Sequence, residues 1–124
     1  MTTEQQRKML ECAAKACGAV IDKSFNPSFF NGSVIPYGQL VVINEQGGHS
    51  LWNPLTNPVD TAEMCARLEI DTRWHMGREA VECIHKQDAW PACRAFAKDH
   101  DNSRLKAWMH AATMVAAKIE GYTA

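Results

Sequence analysis

The spacing of apolar residues divides the chain into helical and extended stretches. Over 3–17, Met9, Leu10, Ala13, Ala16 and Cys17 recur at helical intervals, and Glu4, Gln5, Arg7, Lys8, Glu11 and Lys15 make the wet side. This predicts an amphipathic helix with Thr3 and Gln6 at capping-box spacing, stopped by Gly18. Ala19-Val20-Ile21-Asp22 reads as a short strand. Residues 26–32 carry the Pro, Asn and Gly of an irregular loop. Phe29 and Phe30 within it are candidates for core plugs or for a contact surface. Ile35-Pro36-Tyr37-Gly38 reads as a turn. Leu40-Val41-Val42-Ile43 is a continuous β-branched run, the mark of a strand covered on both faces. Gln46-Gly47-Gly48 then turns the chain, so that His49-Ser50-Leu51-Trp52 returns beside it.

The stretch 52–70 is the densest in folding signals. Pro54 and Pro58 keep Asn53 and Asn57 out of the helical region. Asp60 stands as an N-cap, Glu63 at the capping-box position, and Val59 and Met64 at staple spacing. These predict a helix over 61–68. Ile70, Thr72, Trp74 and Met76 then alternate with Asp71, Arg73 and His75, as in a half-buried strand. After a turn at Gly77-Arg78, Val81, Cys83 and His85 alternate with Glu82, Ile84 and Lys86. That is an antiparallel partner. Pro91 opens a short helix through Phe96, and 99–103 is a polar linker in which Asp101 caps the last helix.

That helix spans 103–120. Leu105, Trp108, Met109, Ala112, Val115, Ala116 and Ile119 form one stripe, and Gly121 stops it. Ala107, Ala111 and Met114 make its back apolar too. A helix apolar on two sides is covered on two sides, by another element or by a second copy. Ala107, Ala111 and Met114 are therefore the candidate oligomer interface. The order of elements gives an α+β class: a mostly antiparallel sheet packed by helices, in one domain.

Composition narrows the function. With 124 residues the chain has the length of one domain. A net charge of -1 leaves no electrostatic footprint for nucleic acid. No apolar run reaches membrane-span length, and Met1 through Gln6 lack the form of a signal peptide. The five cysteines, Cys12, Cys17, Cys65, Cys83 and Cys93, are odd in number and include no Cys-x-x-Cys pair. They read as reduced, buried thiols in a cytoplasm. No phosphate loop, dinucleotide fingerprint or nucleophile elbow is present, which argues against an enzyme. Cys83 and His85 share a strand face, but one pair is short of the three or four ligands zinc requires. No metal or cofactor is expected.

Trp52-Asn53-Pro54-Leu55-Thr56, then Asp60, a short helix ending Ala66-Arg67-Leu68, and the Ala-rich closing stretch 111–121 together carry a family resemblance. The chain resembles the small phage and prophage proteins with a phage ABA sandwich domain, over about residues 50–121. The family's loop before the helix is usually more acidic than Asn57-Pro58-Val59-Asp60, and 87–103 is longer and more aromatic here. The resemblance implies an α/β/α-type sandwich and a phage gene, with no common chemistry attached.

The chain therefore reads as a non-enzymatic accessory protein that binds a host protein, with a host-defence component as the candidate partner. The alternative is a protein that sequesters a nucleotide-type ligand. Asp71, Arg73 and His75 share one strand face, and with Trp90 and Arg94 they are the candidate binding residues for either partner.

Overall fold

The computed structural model describes residues 3–21, 29–30, 33–34, 40–43, 47–75, 77, 79–86 and 90–123. The turn expected at 35–38, the inward position of Met76 and the side chains of Phe29 and Phe30 lie outside the described residues.

Helix α1 spans Thr3–Ala16. Its end follows from Gly18, whose φ of 76° only glycine adopts without strain. Ala19 N donates to Ala14 O at 2.9 Å and Gly18 N to Lys15 O at 3.0 Å, the paired bonds of a Schellman stop. The chain continues as β1, Val20–Ile21, and then β2, Phe29–Phe30, paired with β3, Ser33–Val34. The expected loop at 26–32 thus contains one strand of a small ladder. Next, β4, Leu40–Ile43, and β5, His49–Trp52, form an antiparallel sheet with β1 in the order β1-β4-β5. Leu40 and Val42 bury the inner side of this sheet against Leu10 and Ala14 of α1.

Helix α2, Pro58–Leu68, begins earlier than expected, and its cap is a different residue. Asn57, not Asp60, is the N-cap, and its Oδ1 accepts from Val59 N at 2.9 Å. Pro58 takes the first helical position, where a missing N–H costs nothing. Asp60 reaches back instead, and its Oδ2 accepts from Asn53 N at 3.0 Å. Val59 is 62% exposed, so no staple to Met64 forms. Thr61, fully buried, donates to Pro54 O at 2.6 Å and so locks the proline loop onto the helix.

A second antiparallel sheet follows, in the order β6-β7-β8: β6 is Ile70–His75, β7 is Ala80–His85 and β8 is Ala92–Phe96. The expected helix at 91–96 is a strand. Its residues alternate, with Cys93 and Ala95 opposite Cys83 and Val81, and Arg94 opposite Glu82. That period of two decides the segment once a neighbouring strand is present. A 3-10 turn, Ala97–Asp99, leads to α3, Arg104–Ile119. Ser103, not Asp101, caps α3, accepting from Lys106 N at 3.1 Å. Asp101 pairs instead with Lys106 Nζ at 2.8 Å.

Helix α3 is the centre of the molecule. Met109, Ala111, Ala112, Val115 and Ala116 are buried, and most of them share one cluster with Met9 and Ala13 of α1, Met64 of α2, and Ile70, Val81, Cys83 and Ala95 of the second sheet. Ala107, Ala111 and Met114 belong to the same cluster. Met114 is only 7% exposed within a single chain. The back of α3 is therefore covered by the chain's own elements, which removes these three residues as an oligomer interface. The described residues form an α+β domain of antiparallel sheets packed by helices, as expected.

Candidate functional site

Strand pairing fixes which side chains share a face. In the second sheet Ile70 lies opposite His85, Thr72 opposite Cys83 and Trp74 opposite Val81. These make the inner face, and α3 packs there: Trp108 Nε1 donates to Thr72 Oγ1 at 3.0 Å. The alternate residues make the outer face. There Arg73, Glu82 and Arg94 stand in one row across three strands. Asp71, Ile84 and Ala92 form the row on one side, and His75, Ala80 and Phe96 the row on the other.

Glu82 is the pivot of this face. Its Oε2 lies 3.4 Å from Arg94 Nη2, and its Oε1 lies 3.8 Å from His75 Nε2. The second distance is too long for a hydrogen bond. His75 Nε2 is shielded from solvent and has no hydrogen-bond partner among the described residues. A half-exposed pair such as Glu82–Arg94 contributes about 0–1 kcal/mol to stability. Its larger effect is to hold the guanidinium in place above the sheet. Asp71 and Arg73 are exposed and form no ion pair among the described residues. Lys98 Nζ sits 5.7 Å from the centroid of the Phe96 ring, within cation–π range. Beside it a cavity of about 560 Å³ opens between Gly77, Glu79, Phe96, Lys98 and Asn102.

Of the five residues expected from sequence, the structure brings four together: Asp71, Arg73, His75 and Arg94. Trp90 is elsewhere. Its ring lies 5.8 Å from Lys118 Nζ of α3, at the helix side of the sheet. Two residues of the face, Phe96 and Lys98, escape sequence reasoning because 91–96 reads as a helix start at Pro91. The alternation of Cys93 and Ala95 with Arg94 and Phe96 is the signal that finds Phe96, and Lys98 follows in the 3-10 turn.

The thiols have a different character. Burial pushes the Cys83 thiol up to about 12, and the Cys17 and Cys65 thiols up to about 11. A thiol so raised is a poor nucleophile at neutral pH. All five cysteines are free. Among the described residues no three His, Cys, Asp or Glu side chains converge on a metal-sized site. No helix among them is long and apolar enough to cross a membrane.

No family model, curated protein or solved structure matches this chain.

Proposed function

We propose that this chain is a small, non-catalytic phage or prophage accessory protein that binds a host protein through the outer face of β6-β7-β8. One observation carries the reading. Helix α3 packs on the inner face, and the outer face presents Arg73, Glu82 and Arg94 in a row flanked by His75 and Phe96. Arginine and aromatic side chains are enriched in the cores of protein interfaces. Glu82 pre-orders Arg94, which lowers the entropy a partner would otherwise have to offset. The phage context rests on the Trp52-Asn53-Pro54-Leu55 resemblance, and a host-defence component is the kind of partner that context favours. The partner surface that fits is one with a carboxylate for Arg73 and an apolar or aromatic group for Phe96.

The test is site-specific photocrosslinking in host cells, with a photoreactive phenylalanine analogue at position 94 and, as control, at Lys8 on the wet side of α1. The expected result is one discrete adduct from position 94 that is absent from position 8. Equal or absent adducts from both positions contradict the reading.

A further inference from the structure

Among the described residues β6 pairs with β7 alone, and its far side is an unpaired sheet edge. Asp71, Thr72, Arg73 and Trp74 along it are all exposed.

Backbone geometry says which groups the edge offers. Lys86 N donates to Glu69 O at 2.9 Å, so the hydrogen-bonded pairs of the β6–β7 ladder fall at 69, 71, 73 and 75. The N–H and C=O groups of Ile70, Thr72 and Trp74 consequently point away from β7. An open row of this kind is a template for another strand. Trp74 on the inner side of the edge is 45% exposed, and Leu105 of α3 is 49% exposed. Leu105 and Trp108 are three residues apart on one flank of α3. Trp108 is anchored on Thr72, and Arg104 is anchored on Glu79 at the other end of the sheet by bonds of 2.6 and 2.8 Å. The flank with Leu105 thus runs along the Thr72-to-Trp74 side of the edge.

We propose that this edge pairs with the same edge of a second copy, antiparallel and centred on Thr72, joining two three-stranded sheets into one of six strands. The side chains select both occupant and register. Centring on Thr72 brings Thr72 opposite itself and Ile70 opposite Trp74 of the second copy. These are hydrogen-bonded pairs, made by the groups that point outward. Asp71 then falls opposite Arg73 of the second copy, twice over by symmetry. Those are the non-hydrogen-bonded positions, where facing side chains come closest. Both charges form no ion pair within the described chain. Shifting the centre to Asp71 sets two aspartates face to face, and shifting it to Arg73 sets two arginines face to face. Of these three registers only the one centred on Thr72 sets no like charges face to face, and it also covers Trp74. The proposal shares Arg73 with the host-protein reading, and separate readouts distinguish the two: chain mass on dilution for the paired edge, and a host adduct from position 94 for the face.

The test is the mass of the intact chain in sedimentation and light scattering across a dilution series, with far-UV circular dichroism as the folding control. The wild type is expected at twice 13.8 kDa when concentrated. Arg73→Asp and Asp71→Arg are each expected at the mass of one chain, and the combined exchange D71R/R73D is expected to return to two. A wild type that stays at one chain throughout overturns the proposal. So do single variants that stay at two, or an exchange that fails to restore pairing. As a second readout, Thr72→Cys combined with Cys83→Ala, which removes the thiol 3.9 Å away in the same chain, is expected to give a disulfide-linked dimer under diamide while Cys83→Ala alone does not. Absence of that species overturns the Thr72 register even if the charge variants misfold.

Discussion

Trp108 Nε1 donates a 3.0 Å hydrogen bond to Thr72 Oγ1, tying the central helix to the outermost strand of the second sheet. The bond sits at the boundary between core and edge. The indole packs on the main cluster while Thr72 is exposed. Thr72→Val keeps the β-branched shape and removes the acceptor. It is expected to lower stability by about 1 kcal/mol, the usual net worth of one such bond. Urea unfolding with the slope unchanged is the check, and an unaltered midpoint shows that the bond contributes nothing.

Met114→Asp separates a core position from an interface position. Met114 is buried within one chain, so a carboxylate there has neither water nor a partner. The expected outcome is a loss on the order of 3–5 kcal/mol, seen as an insoluble chain or a collapsed melting temperature. A folded variant of reduced oligomer mass instead places Met114 between subunits.

The start of α2 offers a comparison of two caps. Asn57→Ala removes the acceptor for Val59 N and is expected to cost about 1 kcal/mol. Asp60→Ala removes the acceptor for Asn53 N and unties the loop, not the helix terminus. The two losses are expected to have different spectroscopic signatures: reduced helicity for the first, and a changed Trp52 emission for the second. Helicity reduced only by Asp60→Ala restores Asp60 as the cap.

Most of the fold is legible in the sequence because periodicity reports burial directly. The stripes of α1 and α3, the run at Leu40 and the alternation from Ile70 to His85 all form the elements they predict. The failures share one physical cause. Pro91 and Asp60 carry local signals compatible with two structures, and tertiary neighbours choose between them. The apolar back of α3 says that it is covered, yet no local pattern says whether the chain's own elements or a second copy cover it. The candidate face is legible at Asp71, Arg73 and His75, which share one strand. Phe96 and Lys98 depend on a cross-strand register that a single sequence does not print.

His110 gives a pH dependence of stated sign. Burial, then the neighbouring His100 ring at 4.7 Å, holds its imidazole down at about 4, below the ordinary 6.5. Between those values the unfolded chain binds the proton and the folded chain does not. Stability is therefore fully present above pH 6.5 and falls as pH drops toward 4, by on the order of 3 kcal/mol from this residue. His110→Gln is expected to flatten that limb in chemical unfolding at several pH values. Parallel profiles for both chains rule out His110 as the source.

Binding of a partner protein on the outer face of β6-β7-β8 is measured most directly by crosslinking from position 94. One host adduct is expected from position 94, none from position 8, and loss of the adduct when Phe96→Ala is added. An adduct that survives Phe96→Ala undiminished, or that forms equally from position 8, contradicts binding through this face.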